Sequence, residues 1–272
     1  MGTALITGGS SGIGAEYASR LADRGWDLVL VARRGERLAD LGEQLRDQRG
    51  IQVEELVADL SDPADLPRVA ERAAGDDIDL LINNAGINGY GPFAETDPGL
   101  QEKVIGVNVT AVTALSRAAL PGMLARGRGT VINVASLLAF SGDVPPNPLP
   151  QRVVYGATKA YEVAFTRILA AELDGSPVGV QVVCPGLTAT EFHLTQGDEP
   201  VAGRAPQVHD DGGMPAPDVV TASLAAFDSG ETVCIPGLSE PAAVARLAEA
   251  EAELRSASRS GLAERYGKSA RS

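Results

Sequence analysis

Thr3-Ala-Leu-Ile-Thr-Gly-Gly-Ser-Ser-Gly-Ile-Gly14 decides how this chain folds. Its first five residues form a short apolar run of strand character. Four glycines follow, and residues 15–24 then continue without Gly or Pro, as a helix does. Strand, glycine-rich turn and helix is the order that brings backbone N–H groups and a helix N-terminus up to a phosphate. The spacing, Thr7-Gly8-x-x-x-Gly12-x-Gly14, differs from the commoner Gly-x-Gly-x-x-Gly.

Outward from that stretch the same unit recurs. Residues 27–32, 51–58, 78–82, 130–134, 178–184 and 231–235 read as strands, and 36–48, 63–74, 100–126 and 159–173 read as helices. Pro121 and Gly122 are expected to interrupt or kink the third of these helices near its end. Strands alternating with helices predict a parallel sheet covered on both faces, wound doubly by right-handed crossovers. The expected fold is therefore α/β: one Rossmann-like domain over 1–272, with about seven parallel strands and helices on both faces. Ligands bind such folds beyond the carboxyl ends of the strands. Asp59, Asn84, Gly86, Ser136 and Pro185 all stand at such ends.

Composition narrows the function. With 272 residues and 44% hydrophobic content, the chain can bury one sizeable core. A formal charge of -13 argues against a sequence-independent grip on nucleic acid and suits a cytoplasmic protein. A strand pattern begins within a few residues of Met1, leaving no space for a signal peptide. The apolar stretch around 130–140 is too short and too polar to cross a bilayer, so no membrane partner is expected. Cys184, Cys234, His193 and His209 lack ligand spacing, and no metal is expected.

Two stretches break the alternation. Residues 141–150 carry four prolines and must leave helical geometry. Residues 191–217 are rich in Gly, Pro and Asp; 187–217 is read as a substrate lid. Residues 240–266 read as a C-terminal helical extension. Tyr90 and Phe93 stand where they would line or rim the substrate end.

Chemistry enters at Tyr155-Gly-Ala-Thr-Lys159. Four residues apart on a helix, the two side chains share a face, with Cβ atoms about 5–6 Å apart. An ammonium beside a phenol favours the phenolate and makes an acid–base couple for a carbonyl or an alcohol. The second strand ends in Arg33-Arg34, about 20 residues past the glycine turn, where an acid would accept a free ribose 2′-hydroxyl. Two guanidinium groups there suit a 2′-phosphate, and so NADP(H) over NAD(H).

Taken together, Thr7-Gly8-x-x-x-Gly12-x-Gly14, Asn83-Asn84-Ala85-Gly86, Asn108, Ser136, Tyr155-x-x-x-Lys159 and Pro185-Gly186 resemble the short-chain dehydrogenase/reductase family. The match runs from Gly2 to about Thr190, and the text around Val29 to Arg34 is similar to the bacterial NADP-preferring members. The resemblance implies a hydride transfer between nicotinamide and a ketone, aldehyde or secondary alcohol. Tyr155 would be the acid or base, Lys159 would lower its pKa and hold the nicotinamide ribose, Ser136 would orient the substrate oxygen, and Asn108 would anchor a water in a relay through Lys159. It further implies that Gly8, Ser10, Ser11, Ile13 and Gly14 face the pyrophosphate, Arg33 and Arg34 the 2′-phosphate, and Asp59 and Leu60 the adenine. Asn84, Ala85 and Gly86 would lie along the ribose, and Pro185, Gly186, Thr188 and Thr190 at the carboxamide. Homodimers or homotetramers through the helices of Asn108 and Tyr155 are implied too.

One departure stands out: the proline-rich stretch lengthens the interval between serine and tyrosine. Ser141 is then an alternative to Ser136. Ser136 is preferred because it directly follows the strand Val131-Ile-Asn-Val134. Two other functions fit the same cofactor site: a dinucleotide sensor or scaffold without turnover, and a cofactor-retaining isomerase or epimerase. The first would predict a damaged tetrad, which this chain does not have; the second would turn over without net change in NADPH.

Overall fold

The computed structural model describes residues 2–147, 149–193, 195–196, 199–200, 213–258 and 261–266. Residues 194, 197, 198 and 201–212, the last including His209 and together about half of the expected lid, lie outside them. The chain divides into a body, Met1–Pro236, and a second unit, Gly237–Ser272. The second unit contains one long helix, Ala242–Ala257, within the expected extension.

In the body, β1 (Thr3–Thr7), β2 (Asp27–Ala32), β3 (Val53–Val57), β4 (Ile78–Asn83), β5 (Gly129–Val134) and β6 (Val178–Val183) alternate with helices. The helices are α1 (Gly12–Asp23), α2 (Gly35–Arg49), α3 (Asp65–Ala73), α4 (Pro98–Ile105), α5 (Val112–Arg126) and α6 (Val153–Glu172). A two-stranded ribbon, β7 (Thr195–Gln196) and β8 (Glu199–Pro200), precedes α7 (Ala216–Asp228) and the last strand, β9 (Val233–Cys234). The seven-stranded sheet runs β3-β2-β1-β4-β5-β6-β9, all parallel.

Strand pleating splits the core into two layers. Ala4, Ile6, Leu28, Leu30, Leu80 and Ile82 face one way, onto Tyr17 and Leu21 of α1, Leu38 of α2 and Val220 of α7. Their neighbours Leu5, Val29, Val31 and Leu81 face the other way, onto Val69 of α3 and Leu115 and Met123 of α5. Side chains alternating at period two, each fully buried, are what a parallel sheet covered on both faces demands. Three polar side chains tie the first layer together. The Tyr17 hydroxyl donates to Ser223 Oγ at 2.5 Å, and Ser223 donates to Gln181 Oε1 at 2.8 Å, linking α1, α7 and β6.

The interruption expected at Pro121 does not occur: α5 runs through it to Arg126 and ends on Gly127 in the left-handed conformation. One lost N–H costs less than unseating Leu115, Ala119 and Met123, all buried against the sheet. The stretch Pro98–Arg126 is long and apolar enough to cross a membrane by length and composition, a feature the sequence reading overlooked. Its apolar side chains, Val104, Val107, Leu115 and Met123 among them, are instead packed in the second core layer. Between α4 and α5 the helix widens into a π turn, Gly106–Ala111, which carries Asn108.

Winding reverses between β1 and β4, and the turn after β1 must pass very close to the loop after β4. Gly8 takes a φ of +68°. A Cβ on Gly14 would lie 2.3 Å from the Gly8 carbonyl oxygen, whereas one on Gly186 would meet nothing within 4 Å. Gly14→Ala is therefore expected to cost about 1–3 kcal/mol of stability through overpacking, while Gly186→Ala should stay within about 0.5 kcal/mol of wild type. Denaturant unfolding of the two variants checks the contrast.

Candidate active site

The carboxyl ends of the strands open into a cleft of about 1390 Å³. One end is walled by the glycine turn, Arg33, Arg34, Asp59 and Leu60; the other by Tyr155, Lys159, Tyr90 and Phe192. Every residue expected from the sequence to hold the cofactor lines this cleft except Gly14, which sits behind the wall and keeps the turn tight.

The turn and the Asn83-Asn84-Ala85-Gly86 loop are bonded to each other. Thr7 Oγ1 accepts the backbone N–H groups of Asn84 and Ala85, each at 3.0 Å. Asn84 Nδ2 donates to the Thr7 and Gly8 carbonyls at 2.9 and 3.3 Å. Asn84 is thus a strut that shapes the cradle. Ser11 starts α1 with an extended backbone and no side-chain cap, leaving the helix N-terminus directed at the cleft.

At the end of β2 and β3, Asp59 Oδ1 accepts Ser61 N–H and Ser61 Oγ–H at 2.8 and 2.7 Å. Partial burial raises its pKa, but those two bonds, with Arg33 and Lys103, outweigh it and hold the carboxyl below its usual value. Arg34 donates to Ser11 Oγ at 2.6 Å and to Glu191 Oε2 at 2.9 Å. Arg37 donates to the same Glu191 oxygen at 2.8 Å, and the two cations, Arg37 first, hold Glu191 below its usual pKa. Lys103, Arg37 and Glu191 were not foreseen, because they come from separate elements that meet only in the fold.

α6 carries the reactive end. Tyr155, Lys159, Glu162 and Thr166 follow at helical spacing and all are buried. Ser136 ends the extended stretch after β5; its Oγ accepts Leu138 N–H at 3.1 Å, and it lines the cleft together with Tyr155. Ser141, the alternative, is otherwise engaged. It donates to the Leu138 carbonyl at 2.7 Å and accepts Arg152 Nε–H at 2.7 Å. Arg152, itself buried, also donates to the carbonyls of Ser141, Val144 and Pro150 at 2.6, 2.8 and 3.0 Å. One guanidinium therefore organises the proline-rich stretch.

Asn108 lies beside the site rather than in the cleft wall. Its amide exchanges hydrogen bonds with the backbone of Ile87, both at 3.1 Å, and donates to Thr158 Oγ1 at 3.0 Å. It staples the loop after β4 to α6. Tyr90 reaches the centre: its ring meets that of Tyr155 edge-on with centroids 5.2 Å apart. Phe93 is largely exposed and does not line the cleft. Phe192 closes the far side of Tyr155, with ring centroids 5.8 Å apart. His193 stands in the short turn Glu191–His193.

The charge at Lys159 is not spent on Tyr155 in the way the sequence implies. Lys159 Nζ donates to Glu162 Oε1 at 2.7 Å and to the Val134 carbonyl at 2.9 Å, and lies 5.9 Å from the Tyr155 ring centre. Burial, then Tyr90 and Glu162, push the Tyr155 hydroxyl well above the ordinary tyrosine pKa, with Ser136 acting the other way. Burial likewise pushes the Glu162 carboxyl up to about 7, against the pull of Lys159. The signal for Glu162 was present in the sequence as helical phase: three residues past Lys159, it falls on the same buried face.

Parallel strands wound both ways from β1, with a glycine turn and a tyrosine–lysine–serine cluster at their carboxyl ends, define a Rossmann-like α/β protein with its site at the switch point. The chain belongs to the short chain dehydrogenase family, whose model matches residues 2–200. It is 33% identical over 194 residues to a very-long-chain 3-oxoacyl-CoA reductase of Anas platyrhynchos, covering 70% of this chain and 60% of that protein. The chain spans about three fifths of the length of the curated reductases of that name it matches. Among solved structures, a short-chain dehydrogenase from Sphingobium yanoikuyae in complex with NADPH superposes with a TM-score of 0.89 at 39% identity, over 98% of this chain and 100% of that one. The bulky-bulky ketone specific alcohol dehydrogenase from Comamonas testosteroni gives a TM-score of 0.86 at 33% identity, over 98% and 99%.

The raised carboxyl at position 162 predicts a pH signature. Folded Glu162 binds its proton more tightly than the unfolded chain does, so its contribution to stability is full below about 4.5 and lost as pH rises through about 7. Glu162→Gln removes that dependence. The stability of the Gln variant relative to wild type should therefore rise between pH 5 and 8, roughly across that window, in thermal melts.

Proposed function

We propose that this protein is an NADP(H)-dependent oxidoreductase that interconverts a bulky, uncharged ketone and its secondary alcohol. The observation that carries the proposal is Tyr155, one helical turn from Lys159, sharing with Ser136 the wall of a cleft shaped for a dinucleotide. The residues fit that cofactor. A turn with no tolerance for a Cβ at Gly14, an open helix N-terminus and two arginines at the ribose end match a pyrophosphate and a 2′-phosphate. A similar protein crystallised with NADPH supports the same cofactor.

When bound, the nicotinamide supplies or receives the hydride. The protein does the rest. Ser136 and Tyr155 together hold the substrate oxygen, and Tyr155 delivers a proton to it in reduction or removes one in oxidation. A hydroxyl held well above the ordinary pKa stays protonated through neutral pH, the state that donates when the substrate oxygen is reduced. Lys159 fixes the ribose side, and Asn108 keeps the loop after β4 in register with α6.

The substrate end is lined by Tyr90, Leu138, Phe140, Leu149, Leu187 and Phe192. These side chains carry no charge. A carboxylate or phosphate buried among them would keep its full desolvation cost, so a bulky neutral ketone is the better fit. Likeness to a bulky-ketone alcohol dehydrogenase supports the same class. We further propose a cytoplasmic homo-oligomer. Ile105, Leu124, Val153 and Ile168 are exposed on α4, α5 and α6, an apolar surface suited to a second copy.

NADPH oxidation with bulky aryl ketones tests the proposal. Tyr155→Phe should lower kcat by about 10²–10⁴-fold, the span of a lost general acid, with NADPH binding retained. Ser136→Ala should lower kcat, whereas Ser141→Ala should lower stability and leave kcat near wild type. Equal turnover in Tyr155→Phe would end the acid–base reading. Arg34→Ala should raise KM for NADPH by roughly 10–100-fold, as loss of a charge-assisted contact of about 1.5–3 kcal/mol requires, and leave KM for NADH little changed. Sedimentation of Ile168→Glu should show a smaller species than wild type.

A further inference from the structure

Glu162 is a buried charged group of the reactive end that the proposed chemistry leaves unused. We infer that it is a positioning residue: it draws the Lys159 ammonium back against the Val134 carbonyl and offsets that charge at the Tyr155 hydroxyl, so that it sets the pH range of proton transfer. This rests on the reading of Tyr155 as acid and base.

The geometry is specific. Tyr155, Lys159 and Glu162 occupy one stripe of α6, at steps of four and three residues. The Lys159 and Glu162 side chains are 3% and 1% exposed, which keeps the pair out of bulk solvent. Oε1 of Glu162 accepts from Lys159 at 2.7 Å, while Oε2 is buried without a hydrogen-bond partner. The carboxylate therefore directs its whole interaction at one cation. Tyr155 senses a pair rather than a free ammonium, because opposite charges in contact cancel much of each other's field at a third site. An ionic pair buried this deeply costs desolvation on both sides.

Other titratable groups facing the cluster are few. Cys184 lies at the end of β6, kept neutral by burial, which pushes its thiol up to about 12. Tyr90 approaches Tyr155 from the loop after β4, and Arg152 acts on Tyr90 from the start of α6. Removing the Glu162 charge thus takes a negative group away from Tyr155 and leaves Lys159 uncompensated. Both changes favour the phenolate.

The test is Glu162→Gln, which keeps the shape and an acceptor for Lys159 but not the charge. The pH limbs of kcat/KM set by Tyr155, in ketone reduction and in alcohol oxidation, should both move to lower pH by about one unit or more. Titration of ¹³Cζ-labelled tyrosine by NMR, in cofactor-free protein with Tyr155→Phe for assignment, should show the same movement without relying on activity. Glu162→Asp, which keeps the charge, should restore most of the wild-type profile. If the Gln variant does not fold, Glu162→Met removes the charge with an apolar chain, and the same downward shift is expected. Unmoved limbs and an unmoved Tyr155 titration, whatever the loss in melting temperature, would make the pair merely structural and overturn the inference; so would an upward shift. Loss of the acid–base reading itself is seen separately, as turnover surviving in Tyr155→Phe.

Discussion

Everything at this site depends on how closely two backbone segments can approach at the reversal between β1 and β4. The hydroxyl of Thr7 takes two N–H groups from the opposite loop, and Asn84 returns its amide to Thr7 and Gly8. These bonds are made where both strands have run out of sheet partners, so they replace ladder bonds that the chain has just lost. Only a turn without Cβ atoms can lie in that space, and the cleft is what remains beside it. The sheet supplies the position and the paired turns supply the shape.

A second polar system runs beneath the site. Asn83 Nδ2 donates to Asn133 Oδ1 at 2.9 Å, Asn133 Nδ2 donates to Thr166 Oγ1 at 2.9 Å, and Thr166 donates to the Glu162 carbonyl at 2.7 Å. All four residues are buried. Such a ladder crosses from β4 through β5 to α6 and fixes the rotation of the helix about its own axis. That rotation decides whether the stripe of Tyr155 and Lys159 faces the cleft. An apolar interface could slide by a few degrees at little cost, whereas a chain of satisfied hydrogen bonds in low dielectric cannot.

Much of this was legible in the sequence, for a definable reason. The glycine turn, the Asn-Asn-Ala-Gly loop and the Tyr155–Lys159 pair express requirements met within a few residues of chain. Strand and helix periods were equally plain, because each face of the sheet had to be covered. The structure carries the consequences of contacts between distant segments. Arg152 reads as an ordinary charge until the proline-rich stretch folds over it, and Glu191 until Arg34 and Arg37 converge on it. The interruption expected at Pro121 failed because local propensity was outweighed by buried side chains on the same helix. Glu162 was visible by helical phase, but a glutamate in an amphipathic pattern is ordinarily assigned to the solvent side. The partner of Lys159 was therefore not legible, although Lys159 itself was.

Arg152 has a further consequence for how a substrate would be met. It holds the carbonyls of the proline-rich stretch from the residue that begins α6, three positions before Tyr155. The wall of the pocket and the hydroxyl that exchanges the proton therefore share a single mechanical footing. A flexible loop would let a prochiral ketone present either side to the same hydroxyl. In the proposed reaction, a loop pinned to the root of the helix would turn its own outline into a stereochemical rule, holding the larger substituent to one side and so setting the handedness of the alcohol.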